Sequence, residues 1–193
     1  MARRTLAGLI AVLIAGGAAA VVAGPLEQLD WITRTVPDEA FVDRHHNYPP
    51  KPSGAAGLTR VFGRPCNADA NANTFLFLAD DDGRGYPVNY HRLLGGTASS
   101  NLDNDIPGHI RSDGLQSKIL SGIWGYACRY KRNGTDWSVH AWGVAVDINS
   151  RYEVPGTSCR TVPAALGHIW TQHGWTWGAS WRDCMHFQYA SNY

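Results

Sequence analysis

The apolar positions of this chain fall into short runs. Thr74 to Leu78 is such a run, bounded by asparagines before and aspartates after, and it predicts a strand. Val88 to Leu94 predicts a second strand leading into a helix or turn. Val144, Val146 and Ile148 alternate with Ala145 and Asp147, which predicts a strand with one aliphatic face and Asp147 on the other. Met185 to Tyr189 predicts a last short strand. A different rhythm appears at Leu115, Ile119 and Ile123, whose spacing of four predicts one helical face, with Tyr126 to Tyr130 extended after it. Pro163 to Gly174 also predicts a helix, carried by Leu166, Ile169 and Trp170 and stopped at Gly174. Gly95 to Gly114 is polar and predicts a long loop of the kind that borders clefts.

The first apolar run is of another kind. Arg3 and Arg4 precede Leu6 to Ile14, and small residues follow through Ala20 and Ala23. This pattern predicts an export signal cleaved after Ala20 or Ala23. The alternative is an uncleaved membrane anchor, since the apolar run approaches the ~20 residues a spanning helix needs. Pro25 to Pro37 could form a short helix, and the stretch to Gly57, with Pro49, Pro50, Pro52 and the pair His45-His46, has the composition of a linker. The expected organisation is a signal peptide or anchor at 1–24, an N-terminal segment and linker at 25–56, and a domain at 57–193. The protein is expected to be secreted or held in the cell envelope, and monomeric.

Composition narrows this picture only a little. The 193 residues are 44% hydrophobic and 17% charged, enough for one globular domain. A net charge of +1 offers no footprint for nucleic acid. The 21 glycines and 10 prolines imply many turns, which disfavours a helical bundle. Seven of the eight tryptophans lie at Trp124 or beyond, and in a small exported domain they are expected in the core. Asp80-Asp81-Asp82-Gly83 lacks the spacing of a calcium loop and reads as a solvated turn.

The four cysteines, Cys66, Cys128, Cys159 and Cys184, suggest two disulfides in an oxidising compartment. Three pairings exist and the sequence does not choose among them. We lean towards Cys66–Cys128 and Cys159–Cys184, which would tie the loop after Asp147 to the segment carrying His186. No Cys-x-x-Cys pair points to a zinc–cysteine cluster.

Candidate chemistry sits in two places. Ser138 to Asn149 places His140 and Asp147 seven residues apart around Gly143, and Asp183-Cys184-Met185-His186-Phe187 supplies another carboxylate and imidazole. His140, Asp147 and His186 make a three-ligand set for zinc with a position left for water. Seven extended residues would span about 23 Å, so the chain must turn between His140 and Asp147, and Gly143 permits it. Small Ala145 on the Asp147 face leaves room. Asp183 could close the site as a fourth ligand, or stand off it as a general base. Arg129 and Arg132 are the candidate cations for a developing oxyanion. His91, His109, His168 and His173 lack partners at ligand spacing and read as surface or packing residues.

Ser138-Val-His140-Ala-Trp-Gly143-Val-Ala145-Val-Asp147 resembles the Ser-x-His-x-x-Gly-x-Ala-x-Asp signature of zinc D-alanyl-D-alanine peptidases. That family includes vancomycin-resistance carboxypeptidases and endolysins that cut L-alanyl-D-glutamate bonds. Asp183-Cys-Met-His186 matches its second element. The resemblance implies a small α+β fold, hedgehog-like, in which an antiparallel sheet flanked by helices carries the metal. It implies that His140, Asp147 and His186 bind Zn2+, that Asp183 is the catalytic base and that Arg129 polarises the substrate carbonyl. It implies peptidoglycan stem peptides as substrate, with D-alanine removal expected first and L-alanyl-D-glutamate cleavage second. A zinc-stabilised binding module without turnover is a further alternative. Aspartate at 183, where several members have glutamate, and Cys184 inside the motif are departures. Ser138 either contacts substrate or bonds within the turn.

Overall fold

The computed structural model describes residues 48–78, 85–95, 102, 105–132 and 134–193. They fall within one compact unit, Ala40–Tyr193. The signal or anchor at 1–24, the helix suggested for 25–37, His45-His46 and the Asp80–Gly83 turn lie outside the described residues. Among those described, no helix is long and apolar enough to cross a membrane. The fold is α+β. Helices α1 (Gly54–Phe62), α2 (Ile106–Ser112) and α3 (Ala164–Gln172) accompany two antiparallel sheets. A hairpin pairs β1 (Asn73–Phe77) with β2 (Tyr86–Tyr90). A four-stranded sheet has the order β3 (Ile123–Trp124), β4 (Ala145–Ile148), β6 (His186–Gln188), β5 (Thr176–Trp177).

The alternation read from Val144 to Ile148 decides what each sheet face carries. Val146 pairs with Phe187 on the core side, whereas Asp147 pairs with both His186 and Trp124 on the other. The core side meets α3 through Trp170, whose ring stacks 4.9 Å from Phe187 and 5.7 Å from Phe77. One aromatic column thus joins hairpin, helix and sheet, with each such ring removing 150–250 Å2 or so from water. Trp142, Trp170 and Trp175 are buried as expected, but Trp124 and Trp181 are 43% and 45% exposed. Helix α3 ends as its glycine predicted: Gly174 has φ +82°, with Trp175 N–H bonded to Trp170 O and Gly174 N–H to Thr171 O. Those two bonds form a Schellman motif.

Three sequence expectations give way to tertiary contacts. The helix foreseen through Leu115, Ile119 and Ile123 is instead a 3-10 turn, Gln116–Lys118, followed by β3. The buried Asn149 side chain accepts from Leu120 and Ser121 N–H at 2.7 and 3.2 Å and donates to Lys118 O at 2.7 Å. It takes the backbone groups that a helix would have used. The 95–114 stretch, expected as loop, holds α2, with Pro107 in its first turn and Ile106 and Ile110 buried. The proline stretch that reads as linker is packed from Tyr48 onward. Tyr189 Oη donates to Pro49 O at 2.9 Å, and Ser191 N–H to Pro52 O at 2.9 Å. Proline lacks an N–H, but its carbonyl still accepts. The disulfides are Cys66–Cys128 and Cys159–Cys184.

Candidate metal centre

His140 sits on a 3-10 turn, Val139–Trp142, that ends at Gly143 in the left-handed region, φ +69° and ψ 25°. A Cβ at Gly143 would lie 1.9 Å from the Ala70 carbonyl oxygen, so backbone conformation and close packing both require glycine there. This bend turns the chain from His140 into β4, which returns Asp147 to the histidine. Across the β4–β6 ladder, His186 stands directly opposite Asp147. Asp147 Oδ1 lies 3.2 Å from His140 Nε2 and 3.1 Å from His186 Nδ1, and the two nitrogens are 3.3 Å apart. Two motifs 46 residues apart thus meet through one pair of strands.

The outer partners of the rings set which nitrogen faces inward. His140 Nδ1 lies 2.6 Å from the Gly125 carbonyl oxygen. His186 Nε2 lies 2.9 Å from Gln188 Oε1, whose amide nitrogen donates to Ala190 O at 3.3 Å. A carbonyl and an amide oxygen accept only, so each ring donates its N–H outward and turns a bare lone pair towards Asp147. With both rings neutral, three electron-pair donors then converge on one point, where a metal ion or a proton can sit. The separations of 3.1, 3.2 and 3.3 Å fall at or slightly below the about 3.3–3.6 Å that tetrahedral bonds of about 2.0–2.2 Å set between zinc ligand atoms, so a small outward shift would admit the ion. Burial opposes charge on Asp147, yet His140 and His186, when protonated, hold its carboxyl far below the usual range, so protons compete with a metal for the same lone pairs. Burial would likewise lower the His186 pKa, but Asp147 beside it raises the net value. Neither Gly125 nor Gln188 is evident from motif spacing. The signal for Gln188 was its place two residues after His186 on a strand, which puts both on one face.

The other candidates surround this centre. Asp183 follows a 3-10 turn, Gly178–Trp181, and its N–H returns to Gly178 O at 2.9 Å. Asp183 and Ser138 line a cavity of about 330 Å3 together with all three metal-site side chains. Asp183 Oδ1 is buried with no hydrogen-bond partner among the described residues. Burial pushes its carboxyl above the ordinary range, against the pull of His186. Arg129 and Arg132 are exposed and line the same cavity, and Arg129 donates to Tyr130 O at 3.3 Å. The remaining histidines are not brought here. His91 is buried, bonded to Phe62 O and Leu93 N–H, and His109 pairs with His173 at 3.0 Å.

Fold and site define a small α+β domain in which a sheet and an adjoining turn present three side chains that could hold a metal ion to an open cavity. Residues 131–189 match the family model described as D-alanyl-D-alanine carboxypeptidase. That span contains His140, Asp147, Asp183 and His186, and the resemblance drawn from the two motifs holds over it. The match supports a peptidase of this type. No curated protein and no solved structure gives a significant match.

Proposed function

We propose that the chain is a zinc-dependent peptidase that hydrolyses peptidoglycan stem peptides outside the cytoplasm. The observation that carries this reading is the ring of inward lone pairs on His140, Asp147 and His186, with an unpartnered carboxylate oxygen of Asp183 in the same cavity. Zinc held by the three donors would act as a Lewis acid and bring water near a pKa of about 7. Asp183 takes the proton of the attacking water and delivers it to the leaving amine. Its raised pKa suits a group that must both accept and release a proton. Arg129, with Arg132 close by in the same wall, donates to the oxygen of the carbonyl as charge develops there. The family match favours removal of a terminal D-alanine. Cleavage of an internal L-alanyl-D-glutamate bond is the second reading, supported by a second cavity that His140 and Asp147 also line. The disulfides and the N-terminal pattern support export.

The test is hydrolysis of purified muropeptides followed by mass spectrometry. Loss of a single alanine marks the carboxypeptidase, and released stem fragments the endopeptidase. Asp183→Asn is expected to lower kcat about 10²–10⁴-fold with zinc still bound. Full turnover by that variant would reject Asp183 as the base, and no turnover by the zinc-loaded natural chain would leave a binding module.

A further inference from the structure

The cavity containing Asp183 has a neighbour of about 510 Å3, and His140, Asp147, Arg129 and Arg132 line both. One runs towards Trp181 and Tyr193, the other towards Trp124, Tyr126 and Arg151. His140 and Asp147 therefore lie where the two cavities meet as one groove. The wall of the second cavity includes Ser150, Arg151, Glu153, Val154 and Pro155, part of a segment restrained in three ways. The buried Glu153 carboxylate accepts from Arg160 N–H and Val162 N–H, each at 3.0 Å, and from the Thr161 N–H and hydroxyl. Gly156 N–H donates to Arg182 O at 2.6 Å, and Cys159 is bonded to Cys184.

Arg151 stands on this fixed wall, exposed and with no hydrogen bond or ion pair among the described residues. The acidic group nearest in sequence, Glu153, is already saturated by four donors and does not neutralise it. Trp124 lies in the same wall, on the sheet face that bears Asp147, and the residue is 43% exposed. A guanidinium without a partner is available to a carboxylate, which its planar fork binds through paired N–H donors. An indole face supplies apolar contact for the chain that carries it.

We propose that Arg151, with Trp124, forms a subsite for a carboxylate of the substrate residue lying on this side of the scissile bond. The subsite selects anionic peptides, and it rests on the peptidase reading above. The carboxylate is either that of an internal acidic residue or the C-terminal one. Three stem peptides separate these sources: one with both carboxylates free, one amidated at the internal glutamyl carboxylate, and one amidated at the C-terminus. Binding to the zinc-loaded full chain is measured by calorimetry in the Asp183→Asn background, alongside hydrolysis by the natural chain.

Amidation at one of the two positions is expected to weaken binding about ten- to hundredfold, the scale of a charge-assisted pair. Arg151→Gln is expected to remove that discrimination, and Arg151→Lys to restore part of it. In turnover, Arg151→Gln should raise KM for the free peptide while leaving kcat and the sensitive amidated peptide little changed. Equal weakening of all three peptides by Arg151→Gln, no weakening of any, or no binding to the natural chain would overturn the subsite. Discrimination in binding without hydrolysis would retain the subsite and reject the peptidase reading. Hydrolysis without discrimination would do the reverse.

Discussion

At the residue scale, the centre depends on groups that never touch the proposed metal. Gln188 and the Gly125 carbonyl hold the N–H groups of His186 and His140 and so present the opposite nitrogens to Asp147. Gln188→Ala is expected to weaken zinc binding about 10–100-fold, measured by competition with a chromogenic chelator, while the far-ultraviolet spectrum stays unchanged. Protons compete for the same lone pairs. Because Asp147 raises the His186 pKa above 6.5, zinc affinity should fall as pH drops through that raised value. A calorimetric zinc titration between pH 5 and pH 8 reads this directly, and constant affinity across the range would contradict the ligand assignment.

At the scale of elements, the important joint is the one between the turn that carries His140 and strand β4. Gly143→Ala puts a Cβ against the Ala70 carbonyl and strains a left-handed residue. The backbone strain alone costs about 1–2 kcal/mol, and the overlap adds to it. The expected result is a lower denaturation midpoint together with lost zinc binding, followed by urea titration and metal analysis of the same preparation. Strand β4 was legible in the sequence because aliphatic residues alternate there with Ala145 and Asp147. The 115–123 segment was misread because its spacing of four is equally met by a turn and a strand. What excluded the helix was Asn149, about thirty residues away in sequence, bonding to Lys118 and Leu120. Helix α2 was missed because Ile106 and Ile110 are too few to show a period.

At the scale of the whole molecule, burial of ionisable groups makes stability depend on pH. His91 is 1% exposed, and burial lowers its pKa from 6.5 to about 4. The folded protein therefore binds this proton less readily than the unfolded chain. Stability is full above pH 6.5, declines as pH falls from there to about 4, and changes no further through this residue below that. The loss amounts to about 3 kcal/mol and should appear in urea midpoints across that window. His91→Gln should remove this part of the slope.

The amino-acid sequence by itself singled out the residues proposed to carry the chemistry. A histidine, glycine and aspartate at one spacing and an aspartate and histidine at another are a local pattern, and the alternation around Asp147 set the face it shares with Ala145. It also limited the cysteines to three pairings, because four can pair in no more ways. Only the tertiary structure decided that Asp147 and His186 stand in register across two strands, since register depends on contacts between segments distant in the chain. It alone chose the two disulfides that form, and it turned both imidazole lone pairs inward through Gly125 and Gln188. It also placed Arg151 and Trp124 in one wall of the groove. Each of these depends on distances between residues far apart in sequence, which no local spacing encodes.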